Sequence, residues 1–408
     1  MRGIACSLIS WWMAASLAAQ TEGGGVPSPL SHPRIALLEE RDWSAHQQEL
    51  LAAEGPTVLN LYRTLIRYPE LHATRRAFGK YLQRESSLPA REREILILRA
   101  AWLSSAEYEW GEHRRIGLAN GLTARDFDAI AKGAAGWGEF DAALIRTADE
   151  LHRDFLVHDA TWNALARRYN TQQLMESVMT VGHYHMLAMA INSFGVPMEK
   201  GAEGFPTRAG AERVRPVGKG GVATRLPRPR IEPVKEDSWS EEQRVLLTPI
   251  RADRGYLPNV YATLARDAKL YPLWLGFARH ILRESSLPAR EREMLICRTA
   301  WLASGEYEWA AHTKIGKENG LTDAEILRLA RGPEAPGWSA QDAALVKAVD
   351  ELHYDAFLSD ATWGALAGRF DTRQMMDLVF TVGAYNMLAM ALNSFGAQLD
   401  SGMVGFLK

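Results

Sequence analysis

Two glutamates and a histidine near residue 100 have types and spacing that could transfer protons. Glu109 and His113 are four residues apart, and Glu94 precedes the histidine by 19 residues. On a helix, side chains four apart share a face, with Cβ atoms about 5–6 Å from each other. A carboxylate beside an imidazole favours the protonated ring and fixes its orientation, which is how a general acid–base pair is tuned. If the helix that carries Glu94 packs against this one, a second carboxylate reaches the same pocket.

The same set of residues returns 199 positions later, together with its aromatic neighbours. Each glutamate–histidine pair lies in the segment Glu-Tyr-Glu-Trp-x-x-His. The tyrosine could contribute a phenol to the pocket, and the tryptophan could form one of its walls. We therefore predict two proton-transfer pockets. Their catalytic residues would be Glu94, Glu109, His113, Glu293, Glu308 and His312, and their substrate-binding residues Tyr108, Trp110, Tyr307 and Trp309.

Two other readings of these pairs remain open at this point. The first is an ordinary surface pair at i,i+4, worth a few tenths of a kcal/mol; the surrounding Trp, Tyr and Ile argue against it. The second is a metal site, but Glu-x-x-x-His supplies two ligands where metals generally take three or more from the protein. We expect no metal.

Two further histidines distinguish the copies. The segment "VGHYHMLAMAINSFG" contains His183 and His185, whereas its counterpart "VGAYNMLAMALNSFG" has Ala384 and Asn386. The histidines could be extra acid–base or substrate-binding groups of the first copy. Alternatively, they face a contact between the two copies.

Most of the sequence consists of two copies of one long segment. "ESSLPARERE" occurs at 85–94 and, letter for letter, at 284–293, and "DELH" ends matching segments in both halves. Each copy is about 175 residues long, which is the size of a domain and too long for a solenoid repeat. A stretch rich in Gly, Pro and Arg separates the copies. The predicted organisation is a signal peptide at 1–20, a first unit at 31–199, a linker at 200–227 and a second unit at 228–408.

Each unit has a helical pattern. "LPAREREILILRAAWLS" has a proline placed to begin a helix, acidic residues in the first turn and apolar positions dense enough for a buried helix. Ser105 and Ser304 could cap the helices that carry the histidines. No segment shows the sustained two-residue alternation of a strand. The fold class is therefore predicted to be all-α.

Composition limits what the chain can bind. Of 408 residues, 47% are apolar and 24% charged, and the formal net charge is −2, so neither nucleic acid nor an anionic membrane is an expected partner. The first 20 residues resemble a signal peptide. We expect a secreted or periplasmic protein if that signal is real, and a cytoplasmic one otherwise.

The spacing Glu-x14-Glu-Trp-x-x-His, followed by a helix end that contains glycine, resembles the carboxymuconolactone decarboxylase family, whose alkylhydroperoxidase-D relatives share its fold. Both units resemble it over most of their length. The resemblance implies two tandem alkylhydroperoxidase-D-like helical domains. In the peroxidase branch a Cys-x-x-Cys stands four and seven residues before the histidine, where this chain has Glu109 and Ala106, or Glu308 and Gly305. The thiols of that branch are therefore absent.

The resemblance implies a cofactor-independent decarboxylase acting on a small carboxylated or lactone substrate. His113 would donate the proton, with Glu109 orienting it and Glu94 relaying protons, and the second unit would repeat these roles. Single-unit relatives form rings, so we expect a homo-oligomer, either a trimer or a dimer of two-domain chains. A peroxide-reducing antioxidant protein and a non-catalytic oligomeric binding protein are the alternatives.

Overall fold

A computed structural model describes residues 30–55, 57–206, 215–217, 220–222 and 226–406. Within these ranges the chain forms eighteen α-helices and no strand, which confirms the all-α prediction. The predicted signal peptide lies outside the described residues.

The first unit consists of nine helices joined by short turns. Its third helix is extended by a π-helical turn at Tyr81–Glu85. The bounds are α1 (Ala45–Ala52), α2 (Asn60–Leu65), α3 (Pro69–Lys80), α4 (Ala90–Leu103), α5 (Glu107–Ala119), α6 (Ala124–Lys132), α7 (Glu139–Asp154), α8 (Asp159–Ala166) and α9 (Thr171–Phe194).

The second unit repeats this order helix for helix, including a π-helical turn at His280–Glu284. The bounds are α10 (Glu241–Arg254), α11 (Asn259–Leu264), α12 (Leu270–Arg279), α13 (Ala289–Leu302), α14 (Glu306–Glu318), α15 (Asp323–Arg331), α16 (Ala340–Asp355), α17 (Asp360–Ala367) and α18 (Thr372–Phe395).

The centre of the molecule is formed by α9 and α18, the last helix of each unit. Both are apolar around nearly their whole circumference, as expected of a helix surrounded by protein. They approach closely because each has a glycine at the contact: a Cβ on Gly182 would lie 2.7 Å from Cγ of Met387, and a Cβ on Gly383 would lie still closer to Cγ of Met186. The two units therefore share one continuous core. Of the described helices, α18 alone has the length and apolar composition that could cross a membrane, and it is wholly buried in this core.

The segment that precedes the first helix of each unit forms hydrogen bonds to the other unit. Arg34 donates to the Leu358 carbonyl at 2.7 Å and to Asp360 at 2.5 Å. Arg230 does the same in reverse, reaching the Val157 carbonyl at 2.6 Å and Asp159 at 2.5 Å. These reciprocal bonds relate the units by an approximate twofold axis.

The residues that begin the predicted linker belong to the first unit. Phe205 packs edge-on against Trp102 with ring centroids 5.2 Å apart, and Glu199 accepts a hydrogen bond from the Tyr108 hydroxyl at 2.7 Å. The segment that follows α9 therefore closes over the helices that carry the predicted site.

The predicted site lies on the hairpins α4–α5 and α13–α14. In the first, Ala106 occupies the N-cap of α5, and Ser105, the predicted cap, precedes it with a φ of 55°. The predicted cap is wrong in the second hairpin as well, where Gly305 is the N-cap and Ser304 has a φ of 53°. The left-handed residue reverses the chain in a few positions, so that α5 packs directly against α4.

Candidate active site

The hairpin brings Glu94 of α4 to His113 of α5. Oε2 of Glu94 lies 2.7 Å from Nδ1 of the imidazole, and both side chains are buried. The second unit has the same pair, Glu293 and His312, at the same 2.7 Å. Because Nδ1 is bonded to the carboxylate, Nε2 is the ring nitrogen left for a ligand or another side chain.

Glu109 does not orient His113 as the sequence suggested. Neither of its carboxylate oxygens has a hydrogen-bond partner among the described residues, although the side chain is buried. Burial, with no compensating donor, raises the pKa of Glu109 well above its usual range. Glu94 therefore takes the orienting role predicted for Glu109, and Glu109 is a buried carboxyl group whose raised pKa favours its protonated form.

Glu308 occupies the same position in the second unit. Its side chain is buried and makes no hydrogen bond to another described residue. Burial raises the pKa of Glu308 to about 7, with its own backbone N–H partly opposing the shift. Each unit thus combines a carboxyl group that bonds the histidine with a second carboxyl group whose pKa is raised by burial.

A cavity opens onto the histidine in each unit. The first has a volume of about 680 Å³ and the second about 520 Å³. Glu109 and His113 line the first, and Glu308 and His312 line the second, whereas Glu94 and Glu293 lie behind the histidines. Volumes of this size suit small organic molecules.

A tyrosine from the central helix of each unit packs edge-on against the histidine ring. The centroid distance is 4.8 Å for Tyr184 and His113, and 4.9 Å for Tyr385 and His312. In the second unit the Tyr385 hydroxyl is also hydrogen-bonded to Nε2 at 2.8 Å. No such bond joins the first pair within the described residues, so Nε2 of His113 is open to its cavity.

The predicted aromatic contacts divide into two groups. Tyr108 and Tyr307 line the cavities, and their hydroxyls donate to Glu199 at 2.7 Å and to Asp400 at 2.5 Å. Trp110 and Trp309 are outside both linings. Each is packed in an aromatic core cluster, with Trp102 and Phe205 or with Trp301 and Phe406. The prediction of tryptophan walls is therefore wrong.

The two extra histidines of the first unit separate in the same way. His183 lines the first cavity, and its Nε2 would be 2.7 Å from a Cβ on Gly79. His185 lies outside both cavity linings, and its Nε2 lies 2.5 Å from Nδ1 of His152 in the same unit. Burial lowers the pKa of His185 well below its usual value, and His152 and His353 of the second unit add to the shift, so this histidine lies near the contact between the units. His183 alone of the two faces a cavity.

Sequence reasoning missed the residues that α3 and α12 add to the cavities. The first cavity contains Arg75 and Arg76, and the second has Trp274 and Leu275 at the same places. Arg76 forms a bidentate pair with Glu54 at 2.5 and 2.6 Å. A signal was present, because shifting the sequence by 199 positions aligns the arginines with Trp and Leu inside an otherwise similar segment.

Comparison with known proteins agrees with this architecture. A family model described as the carboxymuconolactone decarboxylase family matches residues 69–149 and 268–351, one segment in each unit. Among solved structures, an uncharacterized peroxidase-related protein from Silicibacter sp. TM1040 is similar, with 17% sequence identity and a TM-score of 0.39, over 44% of this chain and 97% of that one. No curated protein matches the sequence. The matched segments contain both glutamates and the histidine of each site, and the chain is a tandem duplication of the carboxymuconolactone decarboxylase family domain.

Proposed function

We propose that this protein is a cofactor-independent proton-transfer enzyme of the decarboxylase type, acting on small carboxylated or lactone molecules. The observation that carries the proposal is the buried Glu94–His113 pair, which presents Nε2 of the ring to a cavity that also contains Glu109, a carboxyl group whose pKa is raised by burial. The repetition of these residues in the second unit supports proton transfer there as well.

Glu94 accepts the Nδ1–H of His113 and thereby fixes the tautomer and the orientation of the ring. The imidazole then gives or takes a proton at Nε2, which is the role of a general acid–base catalyst. Glu94 acts through the ring and does not face the cavity, so it is a positioning residue. General acid–base catalysis of this kind typically contributes about 10²–10⁴ in rate.

Glu109 supports the proposal as a neutral acid. A carboxyl group that burial keeps protonated can donate a hydrogen bond to an oxygen on which negative charge develops. That donor and the imidazole line the same cavity, so both can act on one substrate.

The reaction balances without another reagent when a carbonyl is conjugated to the bond that breaks. The substrate carboxylate leaves as CO2, and its bonding electrons pass into the neighbouring carbonyl to form an enolate. Glu109 would hydrogen-bond the enolate oxygen, and His113 would protonate the carbon. The imidazole then regains its proton from solvent.

The residues do not favour the thiol-peroxidase alternative. The chain has two cysteines, Cys6 and Cys297, and neither belongs to a Cys-x-x-Cys pair. Cys297 is fully buried, and burial raises the pKa of its thiol well above the ordinary value. A thiol of that kind is a poor nucleophile.

The direct test is turnover of 4-carboxymuconolactone and a panel of related lactone carboxylates in D2O. Decarboxylation through the histidines predicts CO2 release with one deuterium on the product carbon. The double variant His113→Asn/His312→Asn should lose at least about 100-fold in rate. If that double variant turns the substrate over at the native rate, the histidines are not the catalytic acid–base groups.

A further inference from the structure

We propose that the two cavities bind ligands of different charge: the first binds a carboxylate through Arg75, and the second binds an uncharged, apolar molecule against Trp274. This inference rests on the proposed function only for the location of the sites. It assigns a substrate class to each.

Arg75 is a buried cation that forms no ion pair with another described residue. The residue is 2% exposed, and neither Nε nor Nη2 has a hydrogen-bond partner in the described part of the chain. Burial lowers the pKa of its guanidinium to about 10, so it is still charged at neutral pH. A buried charge is costly unless it is paired, and a forked guanidinium matches a carboxylate in two hydrogen bonds.

The acidic residues around the first cavity are already engaged elsewhere. Glu54 is bonded to Arg76, Glu199 to Tyr108, and Glu203 to Arg114 at 2.6 Å. Glu112 lies 3.3 Å from Arg115, and Glu109 is held in its protonated form. No ion pair neutralises Arg75 within the described ranges, so an anionic ligand is the partner that the cavity lacks.

A second buried polar group lies beside Arg75. Nη1 of the arginine and Nε2 of His183 both approach the place where a Gly79 side chain would begin, at 3.6 and 2.7 Å. The glycine therefore makes room for both groups at one part of the cavity wall. Nδ1 of His183 also has no hydrogen-bond partner among the residues described. Together the two side chains form a cluster of donors that faces the same cavity as His113.

The second cavity has lost this cluster. Trp274 replaces the arginine, Ala384 the histidine and Ala278 the glycine. The arginines that line this cavity, Arg254, Arg279 and Arg283, are all exposed to solvent. Opposite Glu308 and His312 its buried wall therefore offers an indole and aliphatic groups, and the buried Asp400 already accepts a hydrogen bond from Tyr307, so the cavity favours an uncharged ligand.

The test is calorimetric titration of the full chain with acetate, phenylacetate and cyclohexanecarboxylate, each beside its methyl ester. We expect a carboxylate to bind at one site per chain. Arg75→Leu should weaken that binding about tenfold or more, and should change binding of the esters less than threefold. Arg125→Leu, at an exposed position of α6, removes the same charge from the surface and is the matched control.

Thermal unfolding of the same variants separates a ligand-binding arginine from a structural one. Because Arg75 has no ion pair with another described residue to lose, Arg75→Leu should raise the melting temperature without ligand. Arg75→Gln, which keeps a polar side chain, provides a second neutral variant and should lose carboxylate affinity to a similar extent.

Three results would overturn the inference: two equivalent carboxylate sites per chain, carboxylate binding that survives both Arg75 variants, or no binding by any of the three carboxylates. These measurements need no turnover. A chain that binds one carboxylate through Arg75 but releases no CO2 would refute the proposed function and leave this inference intact.

Discussion

The two cavities of this molecule have the same proton-transfer groups and different walls. Glu94 and His113 are matched by Glu293 and His312 at an identical 2.7 Å. The helix on the opposite side is different, because α3 presents Arg75 where α12 presents Trp274. The chemistry is therefore repeated, and the recognition of the ligand is not.

This difference has a structural cause. The reacting groups lie on the hairpins α4–α5 and α13–α14, where a histidine and a glutamate must meet across two packed helices. The variable residues lie on α3 and α12, which also pack against each other through Phe78 and Phe277, with centroids 6.3 Å apart. One face of these helices holds the units together, and the other face is free to set the character of each cavity.

The largest expected effect comes from disabling one histidine at a time. His113→Asn should lower turnover of anionic substrates by about 10²–10⁴-fold, because of the two described cavities only the first is lined by buried arginines. His312→Asn should leave that turnover nearly unchanged. The rate of CO2 release from one lactone carboxylate, and the rate of deuterium exchange beside the carbonyl of its methyl ester in D2O, check both expectations. Equal losses from the two variants on the same substrate would show that the cavities are not specialised.

Acid should destabilise the first unit through a histidine that the second unit lacks. Burial, with Arg75 and Arg76 nearby, lowers the pKa of His72 to about 3, and Tyr271 takes its place in the second unit. Because the unfolded histidine binds a proton first, its contribution to stability is lost as pH falls from about 6.5 towards 3. The loss is about 1.4 kcal/mol per pH unit.

The measurement is the free energy of unfolding by urea at pH 7, 5 and 4, for the native chain and for His72→Gln. The variant should lose less stability between pH 7 and 4. Tyr271→Phe changes the matching residue of the second unit without altering a group that titrates in this range, so it should follow the native curve. Parallel curves for the native chain and His72→Gln would contradict the assignment.

A smaller effect on stability tests whether Gly79 and His183 depend on each other, since the second cavity has alanine at both positions. A methyl group on Gly79 would collide with His183, so Gly79→Ala should cost about 1–3 kcal/mol of stability, as overpacking usually does. The double variant Gly79→Ala/His183→Ala reproduces the pair Ala278 and Ala384, and should recover most of the loss. Urea unfolding of the single and double variants gives the coupling energy. If the stability losses of the two single variants simply add in the double variant, the glycine does not serve to make room for the histidine.

The sequence was sufficient for the fold and for the central pair. The repeat and the helical periodicity predicted two all-α units, and the 19-residue separation of Glu94 and His113 is spanned by one helical hairpin. The sequence analysis assigned the wrong carboxylate to the imidazole, because it gave the orienting role to Glu109. Residues four apart on a helix can touch, but the side chain across the hairpin forms the bond to Nδ1, and Glu109 remains unbonded among the residues described.

The errors arose where tertiary packing decides which way a residue faces. Trp110 follows Glu109 directly and is therefore rotated by about 100° around α5, away from the cavity and into the aromatic core. Arg75 lies in the polar segment "HATRRAFGK", which resembles a solvated helix face. Its burial depends on neighbours from distant parts of the chain, and no local pattern in the sequence indicates them.

Glu308 provides a pH test confined to the second unit. With a pKa of about 7, the carboxyl group is protonated below that pH and ionised above it, so a role as an acid is present at low pH and lost as pH rises through 7. In the His113→Asn background, the rate of the reaction catalysed by the second unit should therefore decline above about pH 7. Glu308→Gln should remove this decline from the pH–rate curve, because the amide does not titrate. If the rate of the glutamine variant still declines above pH 7, another group causes the decline.

The smallest expected effect concerns the tyrosine that contacts each histidine. In the second unit the Tyr385 hydroxyl is bonded to Nε2 of His312, so a proton leaving the ring passes through the phenol. Tyr385→Phe should lower kcat of this unit by about tenfold or less, the value of one hydrogen bond of about 1 kcal/mol. Tyr184→Phe is the matched control, because Tyr184 packs edge-on against His113 without a hydrogen bond to Nε2 among the described residues, so Nε2 can reach the ligand directly. Equal losses from the two phenylalanine variants, each measured with the other unit's histidine replaced by asparagine, would mean that both units move the proton along the same route.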